Sequence, residues 1–295
     1  MIVLQNWWYT TLLNTKVAFQ PPLREHLTTE ILIAGGGIAG LHAALCLARA
    51  GKKVVLLERN ICGGSSTGKS AGFLTPDSEL ELSQLLRRYG KDDAKKVWGI
   101  ATQGVEQIVS TIREFGISCD LQKQDSLFVG IGRAGREAVA EEVRSRNEVG
   151  FTSTLYTDAA SLRRVNPGSG YTADVRYSDT YSMNPMLYAQ ELKGVLLGLG
   201  VRIFESTEVT RIEDHTAYTH LGSVTAEHIT VCIDKMMPAI SPVAEQVYHA
   251  QTFLSISEPL AEKEIRALFP ETPDIMCWDS ALIYSYYRLT GDRRL

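Results

Sequence analysis

The segment "ILIAGGGIAGLHAALCLARAGKKVVLLER", residues 31–59, constrains the fold more than any other part of the chain. A short apolar run, "EILIA" (30–34), ends at glycines and suits a buried strand. From Ile38 to Ala50 the chain is rich in Ala and Leu, with Ile38, Leu41 and Leu45 at helical spacing. Gly51 stands where a helix is commonly capped. "KVVLLE" (53–58) is a second apolar run. Strand, helix and strand in about 30 residues make a βαβ unit, so the pattern predicts two parallel strands.

Between the first strand and the helix, Gly35, Gly37 and Gly40 form G-x-G-x-x-G. The first glycine permits a tight turn and the second lets the backbone approach a pyrophosphate. The third lets the helix pack close to the strand. Phosphates are then expected on the N–H groups at the helix start, around Ile38, Ala39 and Gly40, at the positive end of the helix dipole. Glu58, at the end of the second strand, is placed to accept hydrogen bonds from ribose hydroxyls and to repel a 2′-phosphate, which argues against NADP. Glycines, flanking elements and acid together predict a dinucleotide site. The following stretch, "ERNICGGSSTGKSAGFL" (58–74), is a loop of Gly, Ser and Thr suited to a second phosphate and a flat ring system.

At 295 residues the chain is long enough for about two domains. A net charge of −4 and a pI near 5.9 give no pull toward nucleic acid or an anionic membrane. Cys46, Cys62, Cys119, Cys232 and Cys277 show no CxxC spacing and read as reduced thiols. The start of the chain lacks the pattern of a signal peptide, and no stretch reaches the ~18 apolar residues of a membrane span. The expected location is the cytoplasm. Trp7, Trp8 and Tyr9 read as an arm packed on the body.

Further along, Pro76 and Asp77 look like a helix start and Gly90 like its end, with an amphipathic helix over 91–115 closed by Gly116. "DSLFVGI" (125–131) reads as a strand and 136–150 as a polar-faced helix. Asn184 and Pro185 suit the start of another helix, ended by Gly200. "VRIFES", "EVTRIE" and "HITVCI" read as strands, and 246–258 and 277–290 are strand-like. This order predicts an α/β chain of two interleaved domains.

The residues "GGGIAG" (35–40), "LLER" (56–59), "GGSSTGKSAG" (63–72), "NPMLYAQELK" (184–193), "EVTRIE" (208–213) and "YYRLTGDRRL" (286–295) carry a likeness that runs in order over 6–295. By them the chain resembles the D-amino-acid oxidase superfamily of FAD-dependent oxidoreductases, most closely the glycine oxidase and γ-glutamylputrescine oxidase branch. The resemblance implies a Rossmann-like FAD-binding domain interleaved with an α+β substrate domain carrying a mixed sheet. The expected boundaries are an N-terminal arm over 1–27, an FAD domain over 28–84 and 152–236, and a substrate domain over 85–151 and 237–295. It further implies that Ser66, Thr67, Ser70, Gly72 and Phe73 contact the flavin, that Arg59 is a further cofactor-binding residue and that the Val209 backbone meets the adenine. FAD is expected to be non-covalent, because Thr67 stands where some relatives that attach it place histidine.

Two departures accompany the likeness. Relatives continue past "GDRRL" into a last helix facing the flavin, so a C-terminal closing segment is expected to be missing. "TVCIDKMMP" (230–238) lacks the relatives' Ala-Thr-Gly-like turn, and Asp234 and Lys235 there read as a solvated turn.

The activity implied is oxidation of the C–N bond of a small amine or amino acid, with hydride passing to flavin N5 and oxygen or a quinone taking the electrons. Such a route needs no obligatory base, so no catalytic side chain is named. No metal-ligand or Ser/His/Asp spacing appears. Arg288 matches the family's carboxylate-clamping arginine, a role suited to a planar guanidinium, and pairing with a structural acid is the equal alternative. Tyr286 and Tyr287 alternate across a strand, so only one shares a face with Arg288, and Tyr286 is the expected second contact. Lys69 reads more simply as an exposed loop lysine. An NAD-dependent dehydrogenase and a non-catalytic flavoprotein subunit are the competing readings.

Overall fold

The computed structural model describes residues 6–76, 80–162, 170–178, 180–233, 240, 246, 252–271 and 275–295. Helix α1 (Trp7–Leu12) precedes strand β1 (His26–Ala34), helix α2 (Ile38–Arg49) and strand β2 (Val54–Leu57). β1 and β2 are parallel, with Ile31 opposite Val54 and Ala34 opposite Leu57, so the expected βαβ unit is present. Every residue of β2 is buried, as a central parallel strand covered on both faces requires.

A three-residue helical turn at Thr67–Lys69 and strand β3 (Phe73–Leu74) follow. Helix α3 (Leu82–Phe115) is broken at Gly90, whose φ of 76° and ψ of 174° are not helical. It therefore starts later than the Pro76–Asp77 expected from sequence. Pro76 lies in a bend, and Asp77 falls outside the described residues. β4 (Gln122–Lys123), β5 (Asp125–Ile131) and helix α4 (Gly132–Val149) come next, then the short helix α5 (Ala159–Leu162). β6 (Tyr171–Tyr177) and β7 (Tyr181–Ser182) lead into helix α6 (Pro185–Gly198). The Asn184 side chain caps α6 by accepting from Met186 N and Leu187 N, as its residue type predicts.

β8 (Arg202–Phe204), β9 (Arg211–Glu213), β10 (Thr216–Tyr218) and β11 (Ser223–Val231) complete the first sheet, in the order β8-β2-β1-β11-β10-β9. β8, β2, β1 and β11 pair in parallel, and β10 runs antiparallel between β11 and β9. Helix α7 (Glu262–Leu268) and the antiparallel pair β12 (Ile275–Asp279) and β13 (Tyr286–Tyr287) end the chain. Residues 252–258, expected to be strand-like, form no strand; 241–245 and 247–251 lie outside the described residues, as do Asp234 and Lys235.

Two compact units result. The first comprises Met1–Ala71, Phe115–Cys119 and Asn184–Leu254; the second comprises Gly72–Glu114, Asp120–Met183 and Ser255–Leu295. Residues 72–84 and 152–183 thus group with the second unit, apart from the FAD domain expected over 28–84 and 152–236. The reason for the later segment is pairing: β6 runs antiparallel to β5 from Tyr171 to Tyr177 and so joins the mixed sheet β13-β12-β5-β6. Residues 1–27 likewise stand with the first unit.

The first unit packs Leu27, Leu32 and Ala34 of β1 against Val55, Leu57, Val209, Val224 and Ala226. In the second, alternation along β5 sends Phe128 to a cluster with Trp98, Val139 and Tyr177, and Leu127 and Val129 to another with Ile275 and Cys277. Among the described residues no helix is long and apolar enough to cross a membrane, and no group of three or more His, Cys, Asp or Glu is placed to hold a metal.

One charged pair is fully buried in the first unit. Lys193, 2% exposed, donates to both oxygens of Glu205, 1% exposed, at 3.2 and 3.1 Å. Glu205 also accepts from Gln20 N and Cys62 N, each at 2.7 Å. Lys193→Met leaves that carboxylate buried without its cation and is expected to cost about 3–5 kcal/mol, read as a lowered urea midpoint.

Candidate functional site

The carboxyl ends of β1, β2 and β11 converge in the first unit. Gly35 N donates to Leu57 O at 2.8 Å, and Cys232 N donates to Ala34 O at 2.7 Å. Gly35 has φ of 111°, and a Cβ on it would run into Cys232 O. A Cβ on Gly40 would run into Gly35 O, so α2 sits directly against the turn. At Gly37, the N-cap of α2, the nearest atom to an added Cβ is Thr67 Oγ1 at 3.4 Å. Lacking a side chain, Gly37 gives the first turn of α2 no cap of its own, and its backbone stays approachable. Ile38 N donates to Thr67 Oγ1 at 3.0 Å.

Glu58 is buried, and its carboxylate ties the two strand ends together. Oε2 accepts from Gly36 N at 2.7 Å and Oε1 from Asn60 N at 2.9 Å. A carboxylate has about four lone-pair sites, so these two bonds leave acceptor capacity for ribose hydroxyls. Gly36, which sequence reasoning passed over, is required here: an added Cβ would lie 2.9 Å from Cys62 Sγ and 3.0 Å from Glu58 Cβ. Its only signal was the extra glycine inside "GGGIAG".

The small-residue loop is docked onto this turn. Gly63 N donates to Gly36 O at 2.8 Å, and Gly68 N to Gly63 O at 2.7 Å. A Cβ on Gly63 would meet Ala189 Cβ of α6 at 2.5 Å, which explains the glycine by packing. Thr67 is half-buried beside the start of α2, whereas Ser66, Lys69, Ser70 and Arg59 are exposed. Val209 is buried in the core between β8 and β9. These groups, with an open glycine turn, a helix start and an acid with spare acceptor sites, fit an adenine dinucleotide.

Gly72 and Phe73 belong to the second unit, as do Arg288 and Tyr286. Gly72 has φ of 77°, and a Cβ there would strike Met183 O and approach Arg288 Nη2 at 3.1 Å. The Arg288 guanidinium is buried; Nη2 donates to Met183 O at 3.0 Å and Nη1 to Leu289 O at 3.2 Å. Burial lowers its pKa to about 10, against the opposing pull of Asp120 and Asp292. Tyr286 packs edge-on against Phe73, ring centres 5.8 Å apart.

His42 and Cys62 are of residue types that can attach a flavin covalently, and both are otherwise engaged. His42 Nε2 bonds the Tyr188 hydroxyl at 2.7 Å, and burial, then Arg49, lowers its pKa. Burial, then Glu205, pushes the Cys62 thiol well above its usual value, so it holds its proton.

A family model described as DAO, FAD dependent oxidoreductase, matches residues 30–295. The chain is 29% identical to the gamma-glutamylputrescine oxidoreductase of Escherichia coli (strain K12) over 282 residues, 92% of this chain and 65% of that protein. It is 24% identical to the probable oxidoreductase OrdL of Haemophilus influenzae, over 93% of this chain and 65% of that protein. The chain thus spans somewhat less than two thirds of the length of these curated relatives. Among solved structures, glycine oxidase from Geobacillus kaustophilus superposes with a TM-score of 0.71 at 16% identity, over 91% of this chain and 70% of that one. L-proline dehydrogenase from P. horikoshii gives 0.67 at 18%, over 91% and 68%. At such identities the likeness shows the fold.

The site yields a direct test. Glu58→Gln keeps the side-chain shape but removes the charge that strengthens each bond it accepts. Affinity for FAD, followed by quenching of flavin fluorescence, is expected to fall on the order of tenfold.

Proposed function

The chain belongs to the DAO family of FAD-dependent oxidoreductases, and from that premise we propose that its first unit binds FAD non-covalently for oxidation of the C–N bond of a small amine or amino acid. The observation that carries this reading is the nucleotide cradle: an open Gly37 at the start of α2, with the Glu58 carboxylate tying the strand ends beside it. Thr67, bonded to Ile38 N, brings the small-residue loop to the same helix start. An NAD-dependent dehydrogenase would share the glycine turn but has no need of that docked loop.

Bound FAD supplies a two-electron acceptor, so the chain's own residues need only bind, orient and keep water out. Gly35, Gly37, Ile38, Ala39 and Gly40 would hold the pyrophosphate, and Glu58 the ribose. Arg59, Ser66, Thr67 and Ser70 remain proposed cofactor contacts in the first unit, with Val209 at the adenine; Gly72 and Phe73 stay as proposed flavin contacts on the strength of the family likeness alone. The engagement of His42 and the protonated state of Cys62 support non-covalent attachment. The gamma-glutamylputrescine oxidoreductase named above points to an amine substrate, glycine oxidase to an amino acid, and oxygen or a quinone completes the turnover.

Arg288 and Tyr286 stay as proposed substrate contacts on the strength of the family likeness. Because Arg288 already donates to two backbone carbonyls, clamping a carboxylate would require it to share or exchange one of those bonds.

Purified protein is expected to carry a flavin absorbance band that bleaches anaerobically on adding an oxidisable amine. Protein that binds NAD in place of flavin, or bound flavin that no amine or amino acid bleaches, overturns the reading. Arg288→Ala is expected to lower stability by about 1–3 kcal/mol, by orphaning Met183 O, and to raise KM selectively for carboxylate-bearing substrates. Equal KM changes for amines with and without a carboxylate would dismiss the clamp.

A further inference from the structure

Helix α1 lies on the small-residue loop and contacts it through three side-chain donors. Asn6 Nδ2 donates to Gly68 O at 2.6 Å, Trp8 Nε1 to Ser70 O at 2.9 Å, and the Tyr9 hydroxyl to Gly64 O at 3.1 Å. Asn6 does two jobs, because its Oδ1 also caps α1 by accepting from Trp8 N at 3.0 Å. The far side of α1 is tied to α6, where Asn184 Nδ2 donates to Thr11 Oγ1 at 3.0 Å. Further on, the buried Lys193–Glu205 pair holds Ala18 O and Gln20 N on one side and Cys62 N on the other. The segment 6–20 is therefore fastened at both ends to the loop that begins at Cys62.

We propose that Asn6, Trp8 and Tyr9 are positioning residues of the flavin site, holding loop 63–70 in its cofactor-binding conformation. In a trans peptide the N–H points opposite the carbonyl of the preceding residue. Fixing the carbonyls of Gly64, Gly68 and Ser70 on α1 thus fixes the directions of the Ser65, Lys69 and Ala71 N–H groups. Between those anchors lies Thr67, whose hydroxyl meets Ile38 N at the start of α2. A loop this rich in glycine and serine loses much backbone freedom when it orders around a ligand. Paying that cost beforehand is how a strap of this kind raises affinity without touching the ligand. Tyr9 is also within electrostatic reach of Glu58: burial and then that carboxylate raise its pKa.

The inference rests on the FAD reading above, and the test separates the two. FAD affinity is measured for the whole chain and for Asn6→Ser, Trp8→Phe and Tyr9→Phe. Amide exchange across 63–70 is followed in parallel on the flavin-free proteins. Asn6→Ser keeps a capping oxygen but is too short to reach Gly68, so it separates capping of α1 from the hold on the loop. Each variant is expected to weaken FAD binding about fivefold, the worth of one hydrogen bond, and to speed exchange within 63–70. Thr10→Val, which removes only a bond inside the helix to Trp7 O, is expected to leave both within twofold of wild type. Loop variants that bind FAD within twofold of wild type, or a Thr10→Val effect as large as theirs, overturn the inference alone. A wild-type chain that takes up no FAD overturns the cofactor reading and this inference with it.

Discussion

The close approach of α2 to the end of β1 is the constraint on which the first unit depends. No side chain fits at Gly40 or Gly35, so the helix starts where the strand stops and its first N–H groups face the strand ends. Once that geometry is set, Glu58 at the end of β2 comes within reach of Gly36 N, and Thr67 within reach of Ile38 N. The loop after Glu58 is drawn onto the same turn through Gly63, and α6 onto the loop through Ala189. Each contact follows from the one before it.

The same glycine spacing occurs a second time in the chain. Gly130, Gly132 and Gly135 repeat the pattern between β5 and α4, and Asp279 ends the parallel neighbour β12. There too the outer glycines are forced by packing, a Cβ on Gly130 falling 2.5 Å from Gly135 O. The Ser280 hydroxyl lies where a Cβ on Gly135 would stand and accepts from Ile131 N at 2.9 Å, much as Thr67 Oγ1 accepts from Ile38 N in the first turn. Asp279 accepts from Ala281 N and Ser285 N of its own hairpin. Glycine spacing thus records the close approach of strand and helix, and the groups that line each turn come from residues distant in sequence.

The same division explains what the sequence made legible. The βαβ unit, the glycine turn, Glu58, the α6 cap at Asn184 and the break at Gly90 rest on local chemistry, and local patterns predict them. The start of α3 at Leu82, the absence of strand over 252–258 and the allegiance of β6 rest on partners elsewhere in the chain, which no local period records. The contacts of Asn6, Trp8 and Tyr9 with the loop belong to this second kind. A run of two tryptophans and a tyrosine signals burial but does not name the carbonyls it will meet. Arg288 shows the difficulty from the other direction: its residue type suits a carboxylate, while its buried surroundings already offer it two backbone acceptors.

The pairing of β1 with β11 has a consequence for how the chain comes together during synthesis. His26 aligns with Ser223 and Ala34 with Val231, so one flank of the central strand gains its neighbour only when residues 223–231 have emerged. Until then the apolar stretch 31–34 presents an unsatisfied edge on a nascent chain, the kind of surface that invites mispairing between ribosome-bound copies. Loop closure over so long an interval also slows the search for the native arrangement. A helper that shields β1 during translation would therefore act on assembly speed and yield, leaving the equilibrium of the finished molecule untouched.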